Sequence, residues 1–291
     1  MSKTPGKPET ETQKTVLITG CSTGIGYCVA KGLKQRGYRV IATARRKESV
    51  EQLNNEGFES LALDLSNSES IQLAFKEILQ LTDGKLYALF NNGAFGLPGA
   101  VEDLSRENLK VQFETNVFGW LELTNLVIPL MRKQGFGRII QNSSVLGFVA
   151  MPFRGAYNAS KYAIEGLSDT LRLELKGSNI FISLIEPGPI TSQFRANAVK
   201  AMQQHIDIEN SIHREKYLAV LQRLNKKGPA VPFTLPPEAV LKRVIYALES
   251  KKPKPRYYVT FPTYLFGFLK RLLSNRQMDA LLAKAGSDSK E

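Results

Sequence analysis

Tyr157 and Lys161 stand four positions apart in GAYNASKYAIEGL (residues 155–167), where Ile164, Leu167 and Leu171 repeat with helical spacing. Residues i and i+4 share one face of a helix, so the phenol and the ammonium are expected side by side. On these residues alone two readings are open: a surface contact, or a cation that makes the phenol easier to ionise. A tyrosine hydroxyl has an ordinary pKa of about 10, too high for ready proton exchange at neutral pH. A nearby positive charge favours the phenolate and lowers that value, so the pair is suited to general acid–base work.

A second constellation is TGCSTGIG (19–26), in which Gly20, Ser22, Thr23, Gly24, Ile25 and Gly26 follow the β-rich run TVLITG and precede a helical pattern ending near Gly37. With a strand before and a helix after, such glycines permit a tight turn and let the backbone approach a pyrophosphate, which the helix N-terminus binds. The competing reading is a structural turn. NAD-binding folds often place Asp or Glu at the end of the next strand, roughly 20 residues past the glycines. Here ATARRKE puts Arg45, Arg46 and Lys47 at that point. Guanidinium matches phosphate geometry, so Arg45 and Arg46 point to the 2′-phosphate of NADP, with Thr23 as a further donor; the competing reading is a solvated basic turn.

The elements that must hold these groups alternate along the chain. Strands are expected over 15–20, 38–44, 58–65, 87–94, 137–144 and 180–188, largely apolar as in a parallel sheet covered on both faces. Helices are expected between them, one with a Ser66/Glu69 capping box, one spanning about 105–133, and the YNASK helix. The alternation argues for a single doubly wound α/β domain. The division expected is a disordered arm over 1–13, the domain over 14–261, and a helical extension over 262–291. Residues 193–236 interrupt the rhythm and run into GPAVPFTLPP; an insertion there is placed to act as a substrate lid.

The 291 residues, 43% of them hydrophobic, can bury one substantial core. Two cysteines, Cys21 and Cys28, make no disulfide framework, so a reducing cytoplasm is expected. No stretch approaches the roughly 18 apolar residues of a spanning helix, and MSKTPGKPETETQK reads as neither signal peptide nor anchor. The net charge is +12, and residues 251–276 carry Lys251, Lys252, Lys254, Arg256, Lys270, Arg271 and Arg276 with no Asp or Glu. Such a patch suits an anionic partner or simply a solvated face. The stretch beginning at Pro262 reads as an amphipathic helix with Leu265, Phe268, Leu269, Leu272 and Leu273 in one apolar stripe. It docks on the domain or a second subunit, or lies on a membrane surface.

Taken in order, TGxxxGxG, an Asn-rich strand end, a serine and YxxxK resemble the short-chain dehydrogenase/reductase family over roughly residues 14–195. The resemblance implies a Rossmann domain that transfers hydride between NAD(P) and an alcohol or carbonyl. Residue by residue it implies Tyr157 as catalytic tyrosine and Lys161 as its partner. It also implies Ser144, rather than Ser143, as the serine and Asn116 of QFETNVFG as the helix asparagine. Asp64 with Leu65 is implied at the adenine, and Asn92, Gly93 and Ala94 on the adenine-ribose side. Pro187, Gly188, Ile190 and Ser192 of PGPITS are implied beside the nicotinamide, as are Tyr157 and Lys161. NNGA (91–94) departs from the usual NNAG, and Ser192 replaces a more frequent threonine. A carbonyl receiving hydride would then take its proton from Tyr157, Ser144 would hold its oxygen, and Asn116 would hold a water toward Lys161.

Other classes fit poorly. A serine hydrolase needs a base, usually histidine, and His205 and His213 both lie in the insertion, with no GxSxG around Ser144. Two Cys and two His at unrelated spacings make no metal site. The alternative kept is a catalytically silent NADP-sensing or nucleic-acid-binding protein on the same scaffold. The leading expectation is an NADP(H)-dependent oxidoreductase acting on an alcohol, aldehyde or ketone, with no nucleic acid partner. TGCSTGIG, VIATARR and the C-terminal extension look similar to the steroid- and retinol-dehydrogenase branch, which implies an apolar substrate. Phe148, Val149, Met151 and Phe153 line its pocket or pack between strand and helix. The family implies oligomers built through the helices that carry Asn116 and Tyr157, here a homodimer; separately, the amphipathic basic C-terminal helix allows peripheral membrane contact.

Overall fold

A computed structural model describes residues 13–225, 228 and 231–286. Of the arm expected over 1–13 only Gln13 is among them, and its side-chain amide donates to the Gly37 carbonyl at 2.9 Å. Strands β1 (Thr15–Ile18), β2 (Arg39–Ala44), β3 (Glu59–Ala62), β4 (Ala88–Asn91), β5 (Gly137–Asn142), β6 (Ile180–Glu186) and β7 (Arg256–Tyr258) form one parallel sheet in the order β3–β2–β1–β4–β5–β6–β7. In register, Leu17 lies between Ile41 and Leu89. Successive side chains alternate across a strand, so Val16 and Ile18 enter one core and Leu17 the other.

Helices cover both faces. On one side α1 (Gly24–Gln35), α2 (Lys47–Asn55) and α9 (Glu238–Glu249) pack Val29 and Leu33, Leu53, and Val240 and Val244 against the sheet. On the other, α3 (Ser68–Leu81), α5 (Gly119–Gln134) and α6 (Gly155–Glu174) pack Ile78, Trp120, Leu123 and Ile164. Strand order reverses between β1 and β4, and the crevice outside their carboxyl ends is the place where doubly wound sheets bind ligands. The glycine turn and the Asn91–Ala94 loop both open there.

Four local differences from the sequence reading have physical causes. The Ser66 hydroxyl donates to Asp64 Oδ1 at 2.7 Å, so Asn67 caps α3 instead, accepting from the Ser70 amide at 3.0 Å. The helix expected over 105–133 is divided into α4 (Arg106–Phe113) and α5 by one π turn at Glu114–Phe118; such turns occur within helices at functional positions. The insertion contains α7 (Phe194–His205) and α8 (Arg214–Asn225), and α9 and β7 follow it, neither foreseen from the periodicity. Beyond β7 the extension is two helices, α10 (Phe261–Leu272) and α11 (Asn275–Gly286), and the single apolar stripe is split. Leu269 and Leu273 pack inward with Phe266, whereas Leu265, Phe268 and Leu272 are exposed.

Candidate active site

From β1 the chain turns through Thr19–Thr23 into α1. Gly20 takes φ +71°, a left-handed conformation that favours glycine, and a Cβ there would lie 2.6 Å from the Gly93 Cα. A Cβ on Gly26 would lie 2.2 Å from the Gly20 carbonyl oxygen. The turn is therefore bare backbone. Thr23 is the N-cap of α1, yet its side chain makes no capping hydrogen bond, and the first turn holds no acidic residue. The first N–H groups of α1 and the positive end of its dipole thus face the crevice uncompensated. Ser22 is half-buried, and Ile25 packs on the core beside α9. Arg45 and Arg46 stand exposed past β2, and neither guanidinium pairs with a carboxylate among the described residues. This donor set fits a pyrophosphate and one further phosphate.

The loop after β4 is tied onto that turn. Asn92 Nδ2 donates to the carbonyls of Thr19 (2.9 Å) and Gly20 (3.2 Å), and its Oδ1 accepts from Asn142 Nδ2 at 2.9 Å. Thr19 Oγ1 accepts from the amides of Asn92 and Gly93, both at 2.9 Å, and Trp120 Nε1 donates to the Gly93 carbonyl at 2.7 Å. The Gly-before-Ala order of NNGA therefore puts the residue without a side chain where the backbone touches Gly20, and Ala94 into the core beside α5. Asp64 Oδ1 accepts from Ser66, and Leu65 is buried with Trp120.

Tyr157 and Lys161 lie one turn apart on α6, with Lys161 Nζ 5.7 Å from the tyrosine ring centroid and 4.2 Å from that of Trp120. Lys161 is 1% exposed, and its Nζ donates to the Asn142 carbonyl at 2.8 Å. Burial pushes this lysine down to about 7, opposed by the charge of Glu165. Burial also pushes Tyr157 up to about 12, with a hydrogen bond to Ser144 acting the other way. Both shifts have the same first cause: the two groups are dry, and desolvation penalises the charged form of each. Ser144 Oγ also accepts from the Leu146 amide at 3.1 Å, whereas Ser143 turns to Glu165. Asn116 is fully buried in the π turn; its amide accepts from the Phe95 N–H at 3.2 Å and donates to the Phe95 carbonyl (2.9 Å) and Ser160 Oγ (3.1 Å). Ser160 Oγ donates in turn to the Tyr157 carbonyl at 2.8 Å.

Opposite the glycine turn, the Pro187 carbonyl accepts from the Val145 amide at 2.8 Å. Ile190 forms a parallel bridge with Leu235, and a Cβ on Gly24 would lie 3.1 Å from that of Ser192. The Pro187–Ser192 segment, with Gly188, therefore runs between the turn and the insertion. α7 and α8 pack Met202, Tyr217 and Val220 on Leu97 and Ala156, and the Tyr217 hydroxyl donates to Asp103 at 2.7 Å. Phe153 packs edge-on to Tyr217, Phe148 stacks on Tyr258, and Val149 and Met151 join Phe266, so packing accounts for all four. Three contributors went unread in the sequence. Trp120 lies one helical turn past Asn116, Asn142 two residues before Ser144, and Phe194 at the start of α7. Spacing was a usable signal for the first two.

The profile of the short chain dehydrogenase family matches residues 14–203. The chain is 45% identical over 270 residues to "Uncharacterized oxidoreductase YbbO" of Escherichia coli strain K12, covering 93% of this chain and 94% of that protein. It is 34% identical to retinol dehydrogenase 16 of Mus musculus, covering 92% and 87%. Among solved structures, a short-chain dehydrogenase/reductase from Burkholderia phymatum in complex with NAD superposes with a TM-score of 0.75 at 24% identity, covering 96% of this chain and 98% of that one. A short chain dehydrogenase from Burkholderia cenocepacia J2315 in complex with NADP gives 0.71 at 21%, covering 93% and 97%.

Proposed function

Because the chain belongs to the short chain dehydrogenase family of oxidoreductases, we propose that it interconverts an alcohol with an aldehyde or ketone, using NADP(H). The observation that carries this reading is the meeting of Ser144 with Tyr157, backed by Lys161, at the crevice where the bare glycine turn opens. The α1 N-terminus holds the pyrophosphate. Arg45 and Arg46 hold the 2′-phosphate, and they favour NADP although solved relatives of this fold are found with either dinucleotide. Asp64, Leu65, Asn92, Gly93 and Ala94 border the adenosine. Pro187, Gly188, Ile190 and Ser192 border the nicotinamide.

The bound cofactor supplies or accepts the hydride. In reduction, the Tyr157 hydroxyl delivers its proton to the substrate oxygen. Its raised pKa keeps it protonated, and so a donor, throughout the neutral range. The Ser144 hydroxyl donates to the same oxygen and holds it more strongly as negative charge develops. The departing proton leaves a phenolate, which a charged Lys161 stabilises; with its value near 7, part of the lysine carries that charge at neutral pH. Asn116 acts as a positioning residue, because its amide is engaged with Phe95 and with the Ser160 that braces Tyr157. Oxidation runs the same steps backwards.

The apolar packing under α7 and α8 and the similarity to a retinol dehydrogenase support an apolar substrate, with the 193–236 insertion as lid. Exposed Leu109, Val111 and Phe118 near Asn116, and Leu167 and Leu173 on α6, support a homodimer through those helices, and the free thiols of Cys21 and Cys28 fit a reducing cytoplasm. The test is a screen of NADPH oxidation with lipophilic aldehydes and ketones, paired with Tyr157→Phe. That variant should bind NADPH normally and lose at least ~100-fold in turnover, the lower range for a positioned proton donor. Near-normal turnover removes Tyr157 from the mechanism. Tight NADPH binding with no turnover of any carbonyl favours the silent sensor.

A further inference from the structure

Helix α10 carries two unlike faces. Thr263, Phe266 and Gly267 are buried against the protein. The opposite ridge presents Phe261, Tyr264, Leu265, Phe268 and Leu272 at helical spacing, with Phe268 61% and Leu272 65% exposed. Phe233, near the end of the insertion, extends the ridge: it is 58% exposed and its ring centroid lies 4.9 Å from that of Phe261. Scattered exposed apolar residues are ordinary, but a contiguous ridge of this kind marks an interaction surface. Tyr264 is held as an interfacial side chain: its hydroxyl turns back, donating to the Tyr258 carbonyl at 3.0 Å and accepting from Arg243 at 2.9 Å, while the ring stays outward.

The charge around the ridge identifies its partner. Of the seven cations between residues 251 and 276, Arg256 is engaged by Glu165, Glu186 and Asp169, and Lys270 turns inward to the Phe148 carbonyl. Lys251, Lys252, Lys254, Arg271 and Arg276 remain exposed, with no acidic residue in that stretch to offset them. A two-fold contact through this face would oppose the same cations from both copies. An anionic bilayer instead offers hydrocarbon to the ridge and negative charge to its flanks. We infer that the α10 ridge, together with Phe233, docks this protein on an anionic lipid surface.

The ridge adjoins the site. Leu235, two residues beyond Phe233, pairs with Ile190. A Cβ on Gly188 would lie 2.2 Å from Thr260 Oγ1, so the start of α10 backs the same segment. Docking therefore presents the edge of the insertion to the bilayer, where an apolar alcohol or carbonyl enters; that last step alone rests on the function proposed above.

The experiment is sedimentation of the full-length chain with vesicles of phosphatidylcholine alone and of phosphatidylcholine mixed with phosphatidylglycerol. The wild type should bind the anionic vesicles at least ~10-fold better, and less so as salt rises. The double variant Phe268→Glu/Leu272→Glu alters two outward side chains and should keep its melting temperature while losing at least ~10-fold in vesicle affinity. Arg271→Glu should weaken binding to the anionic vesicles only. Turnover of a small water-soluble aldehyde should be unchanged in all of them. Wild-type protein that ignores anionic vesicles, or a double variant that binds them equally, overturns the inference. So does a double variant whose only change is a loss of self-association in sedimentation velocity, which would assign the ridge to a second copy. Absence of turnover in every form, with vesicle binding intact, would count against the proposed reaction and leave the docking surface standing.

Discussion

The ring of Phe194, the first residue of α7, stands edge-on to Tyr157, with centroids 5.4 Å apart and planes at 65°. One residue of the insertion thereby forms a wall beside the proposed proton donor, and it is itself 36% exposed. Phe194→Ala should leave folding stability nearly unchanged. Steady-state kinetics at saturating NADPH should show KM for an apolar aldehyde rising by about 10-fold, the scale of losing part of an aromatic contact area, with a smaller effect on kcat. Equal kinetics for the variant would place the substrate elsewhere.

Among the described residues, Arg45 and Arg46 have no carboxylate to release before they engage a phosphate. Charge-assisted hydrogen bonds of this kind are worth about 1.5–3 kcal/mol. Arg45→Ala/Arg46→Ala should therefore raise KM for NADPH by at least ~30-fold and leave KM for NADH within about a factor of 2. A parallel loss for both dinucleotides would contradict recognition of the 2′-phosphate.

Lys161 gives a stability prediction with a definite sign. The folded protein loses the lysine proton near 7, well below the unfolded value of 10.5. Below 7 the folded state carries the whole burden of a buried ammonium, and this is relieved as pH rises toward the unfolded value. That burden is on the order of 4 kcal/mol, while Lys161→Met leaves the Asn142 carbonyl without its donor, a loss of about 1–3 kcal/mol. Urea unfolding should show Lys161→Met more stable than wild type at pH 6, with the advantage gone or reversed at pH 10, and with turnover abolished. A variant less stable at both values would refute the assignment.

The doubly wound fold class, the glycine turn and the Tyr157/Lys161 pair were legible because each depends on local pattern: alternating apolar runs, bare residues at a strand-to-helix turn, an i,i+4 spacing. What was not legible depends on distant partners. The Ser66 hydroxyl is drawn to Asp64 and the cap passes to Asn67, and Asn116 is a clamp on Phe95 within a π turn. The stripe on α10 was read as one face, open to the domain, a second subunit or a membrane surface, because periodicity locates a face without saying which neighbour covers it; loop residues 145–151 cover Leu269 and Leu273 but leave Phe268 and Leu272 open. The direction of the pKa shifts at Tyr157 and Lys161 was out of reach for the same reason, since burial, not spacing, sets it.

Burial also governs Glu186, the last residue of β6 and the one before Pro187. It is fully buried and meets Arg256 of β7 at 3.0 Å. Arg256 also reaches Glu165 at 2.9 Å and Asp169 at 2.7 Å on α6, with Ser143 and Tyr258 at the edges of the cluster. One guanidinium thus ties the helix carrying Tyr157 to the strand that leads into the nicotinamide segment. Desolvation, and then the charge of Glu165, push Glu186 up to about 9, so the folded protein keeps a proton that the unfolded chain releases near 4.5. The stability this contributes is complete below 4.5 and is lost as pH rises through 9. Glu186→Gln preserves the shape and removes the titration. Its unfolding free energy should match wild type near pH 5 and exceed it by more than about 1 kcal/mol at pH 9. Arg256→Ala, which takes their cation from Glu165 and Asp169 and leaves the Glu186 carboxyl beside them, should cost about 3 kcal/mol or more at neutral pH. Parallel pH profiles for wild type and Glu186→Gln would mean that no proton is held there. The clasp would then be three charged carboxylates around one arginine at both values, and Arg256→Ala would cost about as much at pH 5 as at pH 9.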